Sequence, residues 1–184
     1  MSKVGKNPIP IPSGVDVNIN QDTHEVIIKG KNGELARSFD KRINIDIQDQ
    51  QIIVTRPSEE KVVKMLHGLT RSLLANMVQG VNVGYSKRLE LSGVGYRVAL
   101  DKDELIINIG FSHPVRVKAF PGTTFHVPAD TIIEVKGIDK EKVGLLAAII
   151  HRIRKPDPYK NKGIRYTGEK LIKKAGKALG KAGK

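Results

Sequence analysis

The residues most able to do chemistry lie between His151 and Tyr166. Arg152, Arg154 and Lys155 come first. Pro156-Asp157-Pro158-Tyr159-Lys160-Asn161-Lys162-Gly163-Ile164-Arg165-Tyr166 follows. Two prolines impose an extended path. Lys160, Lys162 and Arg165 supply cations at short intervals, interleaved with Tyr159 and Tyr166. Cations neutralise phosphates and release counterions. Tyrosines stack on unpaired bases or bond to phosphate and 2′-hydroxyl groups. Gly163 lets backbone approach backbone closely. The stretch therefore reads as a nucleic-acid contact; the alternative is a solvated basic linker. Lys170, Lys173, Lys174 and Lys177 extend the charge. Lys170 to Lys174 reads as the start of a short helix, and the glycines beyond it as a tail that orders only on a polyanion. A weaker patch combines Lys87 and Arg88 with Gly95-Tyr96-Arg97.

The charge is concentrated in the same place. The chain has 184 residues, 32 Lys+Arg against 19 Asp+Glu, a net charge of +13 and a pI near 9.9. Residues 151–184 hold 12 of those cations and 2 of the acids. The body is nearly balanced, so a folded scaffold carrying a basic attachment segment is expected. The partner is a polyanion, meaning nucleic acid or an anionic surface.

Other chemistries find little support. There is no Cys, which excludes a disulfide framework, a Cys-ligated metal and a thiol nucleophile. His24, His67, His113, His126 and His151 show no metal-ligand spacing. Gly93-Val94-Gly95 lacks the third glycine of a dinucleotide fingerprint. No cofactor and no metal are expected. The longest apolar run, Leu145 to Ile150, is too short for a membrane span. A cytosolic, non-enzymatic protein is the simplest reading. A general nucleoid-binding protein and an enzyme for an anionic substrate remain the alternatives.

The elements that must position these residues come in two copies. The chain aligns with itself at an offset of 81: Val17 with Val98, Ile28 with Ile109, Phe39 with Phe120, Ile52 with Ile133, Arg71 with Arg152. One ungapped register is expected, with a first module over residues 1–81, a second over 82–155, and a basic loop and tail over 156–184. Each module reads as strands followed by one helix. Alternation marks strands at Val15 to Ile19, Glu25 to Lys29, Leu35 to Phe39, Ile43 to Ile47 and Gln51 to Thr55. Asn32-Gly33 signals a hairpin. Ser58 reads as the cap of the first helix, with an inner stripe of Val62, Leu66, Leu69, Leu73 and Met77, and Gly80 as its stop. In the second module, strands are expected at Lys87 to Leu91, Val94 to Leu100, Glu104 to Ile109, Val115 to Lys118 and Thr131 to Lys136. Asp139 caps a helix with stripe Val143, Leu146, Ala147, Ile150 and Ile153, which Pro156 ends. The fold class is α+β: two tandem similar domains, each a mostly antiparallel sheet packed against one helix.

Pro156 to Tyr166 resembles the signature of the universal L6 family of bacterial large-subunit ribosomal proteins. Ser2-Lys3-Val4-Gly5-Lys6-Asn7-Pro8-Ile9-Pro10-Ile11-Pro12 and Leu91-Ser92-Gly93-Val94-Gly95-Tyr96-Arg97 fit it too. The family usually has a small residue, mostly Gly, where this chain has Asn161. Asn tolerates left-handed backbone angles, so the loop can keep its path. The resemblance implies a non-enzymatic protein with a duplicated α+β fold. It implies binding to 23S ribosomal RNA through the second domain and tail. It implies a place near the base of the factor-recruiting stalk, the sarcin–ricin loop and the subunit interface, beside other large-subunit proteins. Carried over by position, the RNA-contacting set is Tyr159, Lys160, Lys162, Gly163, Arg165 and Tyr166.

Overall fold

Apolar side chains at every second position need a common core, and they set the sheets here. The structure is a computed structural model and describes residues 4–174. It comprises two compact units that part after Tyr85; Gly137–Lys140 packs with the first.

In the first unit, β1 (Ile9–Pro10) is a two-residue strand between prolines. β2 (Asp16–Asn20), β3 (Glu25–Gly30) and β4 (Gly33–Ser38) form an antiparallel sheet in that order. β5 (Asn44–Gln48) and β6 (Gln51–Thr55) pair antiparallel, and β1 closes the other side in the order β1-β6-β5. The unit thus holds two small sheets instead of one. Val26, Ile28, Ile45, Ile52 and Val54 point into its core. Gly30 faces Gly33, so Lys31 and Asn32 form the turn. The expected Asn-Gly pair is displaced by one residue because the Asn32 N–H donates to Val81 O at 3.1 Å. Asp49 and Gln50 turn the second hairpin with φ of 47° and 59°, a type I′ geometry.

α1 (Lys61–Asn82) follows. Ser58 does not cap it. Arg56 grips Glu59 at 2.6 Å, and Glu60 stays extended at the N-cap with no side-chain bond. The buried stripe is Val63, His67, Thr70, Leu74, Met77, Val78 and Val81, and the expected Val62 and Leu69 are exposed. A leucine-led reading misses the phase because two polar residues lie on the inner face. His67 is tolerated there because its Nε2 bonds Val54 O at 2.9 Å. Gly80 is not the stop. The Ile138 backbone crosses against it, where a Cβ would collide; the helix ends at Asn82, with Val83 as C-cap and Gly84 just beyond at φ 85°.

The second unit repeats the plan with β7 (Tyr85–Ser92), β8 (Arg97–Asp101), β9 (Glu104–Asn108), β10 (Val115–Lys118), β11 (Thr123–Ala129), β12 (Ile132–Gly137) and α2 (Lys140–Ile153). β10-β9-β8 is one sheet. Residues 93–96 form a turn, so the strand expected from Val94 starts at Arg97. β11 escapes the sequence pattern because it carries Pro128, which an edge strand tolerates. Asp139 directly precedes α2, and Val143, Leu146, Ala147 and Ile150 are buried as expected.

The duplication is real but its register is not ungapped. Val17 faces Ile28, and Val98 faces Ile107. The counterpart of Ile28 is therefore Ile107, not Ile109. Ile43 N–H closes a turn on Asp40 O, and Thr123 N–H closes the same turn on Phe120 O. Phe120 thus matches Asp40, not Phe39. Hairpins of different length shift the register between strands.

The second unit also has a strand with no counterpart among the described residues of the first. β13 (Gly163–Tyr166) pairs antiparallel with β7, giving the order β11-β12-β7-β13. The segment expected to be a loop outside the module completes the module's sheet.

Candidate nucleic-acid interface

Ile164 explains why the basic segment folds back. It is fully buried opposite Leu91, and its N–H donates to Arg154 O at 2.8 Å. Burying one such side chain contributes about 1.5–3 kcal/mol. Gly163 makes the crossing possible. Its φ is 148°, and an added Cβ would lie 2.7 Å from both Lys155 O and Pro156 Cα. The close approach expected at Gly163 is thus to the protein's own chain.

Between Pro156 and Lys162 the chain does not take the extended path that the two prolines suggest; bonds made by Asp157 close it into one tight loop. Its carboxylate accepts the N–H of Tyr159 at 3.3 Å and of Lys160 at 3.2 Å. Its own N–H donates to Lys162 O at 2.9 Å, and its carbonyl accepts Asn161 N–H at 2.8 Å. Asn161 sits at φ 56°, the left-handed conformation that Asn tolerates. The loop presents Tyr159, Lys160 and Lys162 to solvent. Neither lysine side chain has a partner among the described residues. Asp157 is a residue that the charge pattern missed; Asp before Pro-Tyr is the available signal, since Asp side chains accept backbone N–H two residues on.

The other expected contacts divide into free and committed groups. Arg152, Lys155, Lys170, Lys173, Lys174, Lys87 and Arg97 are exposed. Residues 171–174 carry no helix, and Lys174 N–H donates to Pro158 O at 2.9 Å, bringing that lysine back beside the loop. Lys177 lies outside the described residues. Arg88 is exposed with Glu134 3.9 Å away. Pairing of β7 with β13 brings the Lys87–Arg88 patch alongside the signature segment: Thr167 N–H donates to Arg88 O at 3.0 Å. Tyr96 of that patch is buried, so it presents no ring to a ligand.

Three expected contacts are committed to the fold. The Arg154 guanidinium lies 5.4 Å from the Tyr96 ring and 5.5 Å from the Phe111 ring, and donates to Ile109 O. The Tyr166 ring stacks on His151 at 5.0 Å, and burial, then Glu169, pushes its phenol pKa up. Arg165 donates twice to Glu90, at 2.9 and 3.1 Å, and Thr167 Oγ1 donates to the other oxygen at 3.1 Å.

These bonds, led by Arg165, lower the Glu90 pKa from its ordinary 4.5. A depressed carboxylate stabilises the fold above its ordinary pKa and loses that contribution as pH falls through the lowered value. The β13 clip is therefore expected to hold at neutral pH and loosen in acid. Glu90→Gln should flatten the stability-versus-pH curve below pH ~4.5. An unchanged acid limb would show that Glu90 does not fasten β13.

Among the described residues there is no cluster of His, Cys, Asp or Glu suited to a metal, and no helix long and apolar enough to cross a membrane. The family profile described as Ribosomal protein L6 matches twice, over residues 11–84 and again over 92–167. The chain belongs to the ribosomal protein L6 family. It is 51% identical over 177 residues to the large ribosomal subunit protein uL6 of Clostridium botulinum (strain Langeland), covering 96% of this chain and 98% of the relative. The same protein from Clostridium perfringens (strain SM101) is 52% identical over 177 residues. That from Pelotomaculum thermopropionicum is 49% identical over 184 residues, all of both chains. The two profile matches fall one on each unit and start at residues 11 and 92, which restates the duplication. The family is one of structural ribosomal proteins, not enzymes.

Proposed function

We propose that this chain is a structural constituent of the large ribosomal subunit. It binds 23S ribosomal RNA through the second unit and its basic C-terminal segment. The same reading places it in the cytoplasm, near the base of the factor-recruiting stalk, the sarcin–ricin loop and the subunit interface, among neighbouring large-subunit proteins, where it supports subunit assembly. The nearly neutral first unit is a scaffold facing solvent or a protein neighbour.

One observation carries this reading: the Asp157 loop holds Lys160 and Lys162 exposed beside Tyr159, without a partner among the described residues. Deleting everything after Lys155 would also remove β13 from its sheet, so point variants are the cleaner test. Lys160→Ala with Lys162→Ala should flatten the salt dependence of binding to 23S RNA by roughly one unit of slope per lost phosphate contact. An unaltered slope would show that these lysines do not touch phosphate. Equal affinity for duplex DNA, or loss of the chain from large subunits washed at high salt, would overturn the proposal.

A further inference from the structure

We infer that Phe111 is a stacking platform for an unpaired base of the ribosomal RNA, an inference that rests on the RNA-binding reading above. Phe111 is 46% exposed, at the tip of the loop joining β9 to β10. In the first unit the equivalent hairpin zips up to Gly30 opposite Gly33. In the second, pairing of β9 with β10 stops at Ile107 opposite Val115. The freed residues form a loop in which Gly110, Phe111, Ser112, His113 and Pro114 are all exposed. The duplicated fold does not require such a loop.

The ring is held, not merely exposed. The Arg154 guanidinium lies 5.5 Å from its centroid and also 5.4 Å from that of buried Tyr96. Donation from the same guanidinium to Ile109 O anchors the base of the loop. With Arg154 over the ring, almost half of Phe111 still faces solvent. A π-face backed by a guanidinium suits a nucleobase, which stacks on aromatic rings and guanidinium planes alike. An apolar protein partner is a poorer fit, because the chain neighbours Gly110, Ser112 and His113 offer no apolar side chain beside the ring.

The platform is continuous with the cationic loop. Arg154 O accepts Ile164 N–H at 2.8 Å, and exposed Lys155 is the next residue. Backbone and side chain of one residue thus connect β13 to the Phe111 loop.

The test uses the full chain and protein-free 23S RNA. The protein has no Trp, so Phe111→Trp introduces a single fluorophore. Its emission should be quenched on adding RNA, and Phe111→Trp should bind within about twofold of the parent. Phe111→Leu keeps apolar bulk but loses the π-face. It should bind about tenfold more weakly, the range of one base–aromatic stack, with an unchanged salt slope. Unquenched emission, or parental affinity in Phe111→Leu, would overturn the platform. If Phe111→Leu binds normally while Lys160→Ala with Lys162→Ala weakens binding, only the platform fails. If neither set changes binding, the RNA-binding reading fails with it.

Discussion

Gly163→Val should lower the stability of the second unit by about 3–5 kcal/mol and release β13 from its sheet. Strain at a Gly-only backbone conformation costs about 1–3 kcal/mol. The new Cβ would stand 2.7 Å from Lys155 O and Pro156 Cα, both backbone atoms that no rotamer change can move aside. Relief requires backing the strand away, which exposes Ile164 and forfeits a further 1.5–3 kcal/mol or so of burial. Urea unfolding should show a lower midpoint. RNA affinity should fall with it, because the strand anchors the cationic loop. A variant that unfolds at the parental midpoint would show that the crossing at Gly163 is loose.

Asp157→Ala carries a prediction of unusual sign. Removing an acid from a cationic surface should strengthen binding to a polyanion if charge alone decides. Here the carboxylate receives the N–H groups of Tyr159 and Lys160 and so fixes where both side chains project. Hydrogen bonds to a charged group contribute roughly 1.5–3 kcal/mol each at full strength, less when exposed. Their loss lets the loop sample many shapes, and ordering it again on RNA opposes binding. The expected result is about tenfold weaker binding to 23S RNA and a flatter salt slope, with little change in thermal stability. Asp157→Asn, which keeps one acceptor, should lie between. Tighter binding in Asp157→Ala would show that charge, not loop order, governs this site.

The sequence exposed the architecture wherever the cause was local. Alternation of apolar residues in Ile43 to Ile47 needs only neighbours, and so does the start of α2 just after Asp139. The phase of α1 was not legible in this way. Its inner face uses His67, whose burial depends on Val54 O thirteen residues away. The candidate site divides along the same line. That Lys160 and Lys162 are closely spaced cations follows from the sequence alone. The tight loop that Asp157 makes of them does not, and the left-handed backbone of Asn161 is suggested only by the family resemblance. Nor does the sequence alone show which cations are spoken for. Arg165 meets Glu90 from 75 residues away, and Arg154 meets Tyr96 and Phe111 across two further elements. Charge counting treats all of these as equivalent, although a cation already held by a carboxylate must give up that partner before it can fully neutralise a phosphate.

The position of β13 in the chain bears on synthesis. It is the last strand of the second unit, and it pairs with a strand laid down some 75 residues earlier. Chains fold as they emerge, from the N-terminus onward. The second unit's sheet cannot gain its fourth strand until the lysine loop just ahead of that strand has also been made. Completion of the sheet and anchoring of the lysine loop are thus one event in time. A nascent or broken chain ending before Gly163 would lack both the strand and an anchored loop.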